Sequence, residues 1–307
     1  MLASESIQLR AEESSREPWR DDVSSITLPF RSGRKGILKY ELLLLLTSMI
    51  WGSTFVAQQI GMERGLGPMT FNALRFALGS VSLVPVILWR GRLVGRAPVD
   101  HPGFPFVGSM GAGLFLFAAA SFQQVGLQYT TSANAGFITG FYIVFVPLLG
   151  IPLGHRASKG LWGGIAVCLT GLYLLSVTDA FVISRGDLLI LICALLWACQ
   201  IIVIDRIADR GDALHIALVQ FVVCAVLSAV AAALVESCTL DQVRAGATSV
   251  AYAGILSVGV AFTLQVVCQK QCPPAPVAVI LSLEAVFAAL TGYLVLHQTL
   301  TARALVG

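Results

Sequence analysis

Leu42 to Trp51 reads LLLLLTSMIW, and Leu188 to Trp197 reads LLILICALLW, 146 residues further along. Neither run carries a charge, and both lead a Leu-rich stretch to a Trp. A second pair agrees: Val144 to Gly150 reads VFVPLLG and Val286 to Gly292 reads VFAALTG, an offset of 142. The chain is therefore read as two related halves built from long apolar segments. The first half runs over 41–178 and the second over 187–307, behind a tail at 1–40. The drift in offset fits a shorter loop in the second half.

Composition extends this reading to the whole chain. Of 307 residues, 56% are hydrophobic and 12% are charged, and mean hydropathy is +0.81. Soluble domains carry about 25% charged residues, so a water-exposed surface could not be covered here. A membrane helix needs roughly 20 mostly apolar residues. Nine segments qualify: 41–60, 68–89, 104–128, 132–153, 160–178, 187–205, 213–235, 247–268 and 275–297. In lipid each backbone amide must find its partner inside its own segment, which selects helices. A β-barrel would need short alternating strands. The predicted fold class is an all-α membrane protein, a polytopic bundle.

Lys and Arg set the predicted orientation. With the N-terminus inside, 15 of the 20 cations fall on inner segments and four on outer ones, with Arg75 inside a span. The N-terminus is expected in the cytoplasm and the protein in the cell's inner (plasma) membrane. The tail mixes seven cations before Leu42 with six acids before Leu28 and reads as a solvated, disordered arm. Five spans per half is an odd number, so the halves enter from opposite sides, as in inverted-repeat secondary transporters. By the repeat, Gly307 aligns near Gly164. The second half is thus expected to be incomplete, with nine spans, no tenth helix and an outer C-terminus.

Four motifs, in this order and spacing, carry a resemblance to the EamA-type transporters of the drug/metabolite transporter superfamily. They are Trp51-Gly52-Ser53-Thr54-Phe55, Leu74-Arg75-Phe76, Gly126-Leu127-Gln128-Tyr129-Thr130-Thr131-Ser132-Ala133 and Leu283-Glu284-Ala285-Val286-Phe287-Ala288-Ala289-Leu290. Ala285 stands where the family usually has Pro, and Gly154-His155 and His297-Gln298 replace its Gly-Glu pairs. The resemblance implies a small-molecule carrier, many of whose relatives export amino acids or other metabolites.

Candidate site residues follow from the cost of polarity in lipid. An ionisable group inside a span costs several kcal/mol unless paired or hydrated, which makes it a site candidate. Arg75 and Glu284 are the two that lie well within spans. Glu284 would bind a substrate ammonium or a proton, and Arg75 a carboxylate or phosphate. The plainer alternative is that they pair with each other or with backbone carbonyls and fix packing. Trp51, Thr54 and Gln58 share one helical face, and Trp197 and Gln200 repeat its first step in the other half. Ser121, Gln124 and Gln128 share a face of the third span, and Gln265 and Gln269 one of the eighth. Asn134 and Tyr142 sit in the fourth. Of these, Trp51, Gln58, Gln124 and Trp197 are the expected cavity liners. Gly136 and Gly140 are read as packing positions, and Pro85 and Pro147 as kinks.

Other functions are excluded or kept as rivals. The seven cysteines form no CxxC pair, and the four histidines show no metal spacing, so no cofactor or metal is expected. The Gly-rich run Gly108–Gly113 lacks a phosphate-binding Lys, which excludes an ATP-driven pump. No basic face suits nucleic acid. The expected partners are a small-molecule substrate, the lipid bilayer, a proton as coupling ion and a second copy in a homodimer. Two rivals stand beside the carrier: a non-transporting remnant, and a membrane enzyme on lipid-linked substrates using the acidic loop Asp205–Asp212.

Overall fold

The structure is a computed structural model, and it describes residues 34–93, 104–155, 158–176, 184–298 and 306. Most of the predicted 1–40 tail therefore lies outside the described residues, as does the segment after the ninth span. The described residues are almost wholly helical. α1 spans Arg34–Glu63, α2 Pro68–Leu93, α3 Phe106–Gly126, α4 Ser132–Thr139, α5 Tyr142–Gly150 and α6 Lys159–Ser176. Then come α7 Arg185–Ile207, α8 Ala213–Val235, α9 Leu240–Ala245 and α10 Ala247–Ala251. A π-helical stretch, Tyr252–Phe262, continues α10 into α11, Thr263–Gln269. α12 spans Pro274–Leu281 and α13 Glu284–Leu296.

Eight of these helical segments are long and apolar enough to cross a membrane. They match eight of the nine predicted spans to within a few residues. α4 with α5 makes one span, α10 through α11 another, and α12 with α13 a third. The remaining predicted span, 160–178, is a shorter apolar helix, Lys159–Leu174. It ends beside residues 177–183, outside those described. α1 begins at Arg34, seven residues before the predicted start of its span.

Polar residues mark the helix ends and tie neighbours together there. Ser184 and Asp187 close a reciprocal capping box on α7, and Thr131 accepts from Asn134 N to cap α4. α2 and α8 lie antiparallel, bonded at both extremities. At one end the Glu236 carboxylate, just past α8, accepts from Met69 N and Thr70 N at 2.8 Å and from Thr70 Oγ1 at 2.7 Å. It thereby satisfies orphan amides of the first turn of α2. At the other, Arg90 Nη1 donates to Asp212 Oδ1 at 2.7 Å. Residues 90 and 236 are thus at opposite ends of the bundle.

The same segregation holds elsewhere. Lys270 Nζ donates to the Gly211 carbonyl at 2.9 Å, and His155 lies 3.6 Å from Asp205, both at the Arg90 end. Thr130 donates to Asp187 at 3.0 Å at the Glu236 end. These contacts join segments expected on the same side of the membrane. They also occupy the acidic loop, whose Asp212 bonds Arg90 and His215.

Two spans are interrupted at the same place in the two halves. In the fourth span, Phe141 N donates to Ile138 O, Ile143 N to Gly140 O and Val144 N to Phe141 O. In the ninth, Leu283 N donates to Ile280 O, Ala285 N to Ser282 O and Val286 N to Leu283 O. Every bond of the second set is the first set moved by 142 residues, the sequence offset of the VF motifs. These three-residue closures are tight 3₁₀-type turns inside an α-helix. Pro147 is not their cause. The turn precedes it, and the second copy has Ala289 at the matching position.

Candidate functional site

The turns place Tyr142 and Glu284 at the first position of α5 and α13. Both side chains open onto one internal cavity. Its wall also carries Trp51, Thr54, Phe55 and Gln58 from α1, Arg75 from α2, Gln123 from α3, and Trp197 and Ile201 from α7. Ser257 and Phe262 from the π-helical stretch and Gln265 from α11 complete it. Five of the six predicted site residues are thereby brought together: Glu284, Arg75, Trp51, Gln58 and Trp197. The sixth, Gln124, is fully buried but off this wall. Its neighbour Gln123 faces the cavity instead.

Close packing sets these positions. A Cβ added to Gly52 would stand 2.5 Å from the Glu284 carbonyl oxygen and from Phe287 Cβ. The first-span motif thus has a steric meaning: α1 crosses the start of α13 with only hydrogen between the backbones. Gly136 of α4 meets the same helix, where an added Cβ would lie 3.0 Å from Ala288 Cβ. The packing role expected of Gly136 is seen here.

The cavity centre is aromatic. The Trp51 and Phe262 ring centroids lie 4.6 Å apart, and Trp197 stacks on Phe262 at 5.4 Å and 23°. Trp51 and Trp197 are 6.1 Å apart. Phe76 and Phe221 extend the cluster, 6.4 Å from each other and about 6 Å from Phe262. Residues of equal position in the two halves meet here. Trp51 faces Trp197 at the 146 offset, Arg75-Phe76 corresponds to Gln220-Phe221 at 145, and Gln123 to Gln265 and Tyr142 to Glu284 at 142. The cavity lies where the duplicated halves face each other.

Its polar groups are left open. Arg75 is 3% exposed and Glu284 3% exposed. Among the described residues neither forms an ion pair, with the other or with any third side chain. The Arg75 guanidinium instead lies over Phe76, 5.0 Å from the ring centroid, and 5.8 Å from that of Phe71. The Tyr142 hydroxyl approaches the Glu284 carboxyl, yet neither Tyr142 Oη nor Glu284 Oε1 completes a hydrogen bond. Arg75 Nε, both indole nitrogens, Gln58 Oε1, Ser257 Oγ and Gln265 Oε1 are likewise buried without a partner. Most buried polar groups in proteins are bonded, and these groups are free to donate to or accept from a polar guest, water included. About 30 Å³ is open to water centres, room for about two waters.

Sequence reasoning missed Gln123, Ser257 and Phe262, and had named Tyr142 without assigning it to the cavity. Tyr142 was within reach, because moving Glu284 back by the 142 offset lands on it. Ser257 and Phe262 left no such signal: they belong to a π-helical stretch, whose residues drift around the helix relative to a 3.6-residue period.

Comparison with known proteins gives the family. The EamA-like transporter family profile matches residues 38–177 and again 184–307. An uncharacterized transporter of Archaeoglobus fulgidus is 30% identical over 291 residues, covering 92% of this chain and 88% of the relative. The uncharacterized transporter YoaV of Bacillus subtilis is 22% identical over 277 residues, covering 88% of this chain and 93% of its own. A solved crystal structure superposes with a TM-score of 0.71 at 20% identity, over 87% of this chain and 92% of that one, a likeness of fold. Two family matches in tandem, on a bundle whose halves share motifs, helix interruptions and a common cavity, make this chain a membrane protein of the EamA-like transporter family.

Proposed function

We propose that the chain is a secondary-active carrier, working as an exporter in the inner (plasma) membrane with its N-terminus in the cytoplasm. Its substrate is a small amphipathic zwitterion of the amino-acid kind, carried by alternating access. One observation carries this reading: Arg75 and Glu284 are buried on the wall of a single cavity and, among the described residues, form no ion pair. Two unpaired buried charges are costly. A ligand with a carboxylate for Arg75 and an ammonium for Glu284 supplies both counter-charges at once. The Trp51, Trp197 and Phe262 rings offer apolar surface and cation–π attraction beside them.

The cavity is too small for such a ligand, so this is a closed arrangement, and the ends of the bundle must part for loading. Inverted halves provide two equivalent ways to part, one toward each side. Between substrate cycles Glu284 would hold a proton, which links export to the proton gradient.

The test is counterflow in proteoliposomes with radiolabelled L-leucine and L-phenylalanine. Wild type exchanges at least one of them. Arg75→Gln loses exchange by tenfold or more. Glu284→Gln keeps the fold and binding-site volume but loses the stimulation of net transport by an imposed pH gradient. Full gradient-driven transport by Glu284→Gln would remove its coupling role, and unimpaired exchange by Arg75→Gln would remove the carboxylate site.

A further inference from the structure

Gln265 stands on the cavity wall, and its amide is the free end of a row of three. Gln265 Nε2 donates to Gln200 Oε1 at 3.2 Å. Gln200 Nε2 donates to Gln220 Oε1 at 3.0 Å, and Gln220 Nε2 to the backbone carbonyl of Ile216 at 3.3 Å. The row crosses α11, α7 and α8, and its three side chains are at most 1% exposed.

The backbone end dictates the direction of every amide. A carbonyl oxygen only accepts. Ile216 therefore takes the nitrogen of Gln220, which turns the Gln220 oxygen toward Gln200. Gln200 must answer with its nitrogen, and its oxygen in turn requires the nitrogen of Gln265. No amide in the row can flip without setting oxygen against oxygen. Gln265 is left with its oxygen outward, buried and without a partner. The acceptor borders the aromatic trio, since Gln265 follows Phe262 by one helical turn and Gln200 follows Trp197 by one.

We infer that Gln265 Oε1 is a specificity-determining acceptor for an N–H on the cationic end of the substrate, and that Gln200 is the positioning residue that keeps it an acceptor. Ring faces and a carboxylate alone would attract any ammonium, including a quaternary one. A fixed carbonyl oxygen rewards only an ammonium that has hydrogen to give, and a ligand without one leaves the oxygen buried and unbonded. This rests on the zwitterion reading above and narrows it to primary and secondary amines.

The experiment compares paired probes on the purified full chain in nanodiscs, by titration calorimetry: L-leucine and L-phenylalanine, each against its N,N,N-trimethyl derivative. Wild type prefers the primary amine by tenfold or more. Gln265→Met and Gln200→Met each bring the ratio to within threefold of one, and the double variant is no different from either single. A ratio between two ligands is insensitive to general loosening, which weakens both. An unchanged ratio in either Met variant, or losses that add in the double, overturns the inference. Equal binding of both members of a pair by wild type overturns it and leaves the zwitterion reading standing. Binding of neither overturns both.

Discussion

At the residue scale, glycines separate packing that serves the site from packing that serves nothing nearby. Gly52 brings the backbone of α1 against the Glu284 carbonyl, whereas a Cβ at Gly111 of α3 would find nothing within 4 Å. Ala is the better helix former by roughly 0.5–1 kcal/mol. Gly111→Ala should therefore leave the melting temperature unchanged or slightly raised. Gly52→Ala has to push α13 away and should cost about 1–3 kcal/mol. Because the displaced atoms belong to Glu284, it should also weaken ligand binding while Gly111→Ala does not. Thermal melts and titrations of the two purified variants check both outcomes. Equal behaviour of the pair would mean that α1 and α13 are not in backbone contact at Gly52.

At the element scale, α2 and α8 are held at both ends by carboxylates of the second half. Glu236→Ala removes three charge-assisted bonds from the first turn of α2 and should cost about 1–3 kcal/mol, read as a lower melting temperature. Asp212→Ala removes the α8 cap to Leu214 N and the Arg90 contact, about 0.5–2 kcal/mol. Asp212 also gives this end a pH signature. Burial raises its pKa, but the His215 bond and the Arg90 charge outweigh burial and bring it below the usual 3.8. A depressed folded value means that the contribution is complete above about pH 4 and is lost as pH falls through the folded value. The melting difference between wild type and Asp212→Ala should thus shrink as pH falls below about 4. A difference that fails to shrink below pH 4 would contradict the assignment.

The same scale shows what a sequence can and cannot disclose. Apolar length is a property of composition, so eight spans were legible within a few residues, and the repeat offsets were legible as motifs. The interruptions at 140–141 and 282–283 were not: they are changes of hydrogen-bond register inside uniformly apolar runs. Gln124 was chosen over Gln123 because Ser121, Gln124 and Gln128 form a helical face. Gln123 is only about 100° away on the same helix, and nothing local decides which of two adjacent polar residues faces inward. Gln220, in the largely apolar α8, carries no periodic polar signal. Its partners Gln200 and Gln265 lie 20 and 45 residues away along the chain and meet it only through the fold.

At the scale of the whole molecule, equivalent residues of the two halves line one cavity from opposing walls. With an odd number of spans in the first half, the second would enter the membrane from the opposite face. The described contacts put Arg90 and Asp212 at one end and Glu236 with Met69 and Thr70 at the other. Exposed Cys238 lies just past Glu236, and exposed Arg92 just past Arg90. The proposed orientation, which puts 15 cations on inner segments, predicts that the Cys238 end is outside. A membrane-impermeant maleimide applied to intact cells should label native Cys238. In a Cys238→Ser background it should label Arg92→Cys only after permeabilisation. The reverse pattern would keep the inverted fold and turn the protein over in the membrane, making the proposed exporter face the wrong way. Labelling of both positions from one side would dissolve the two-faced arrangement itself, and a cavity shared by equivalent residues of the two halves could not then be the route of transport.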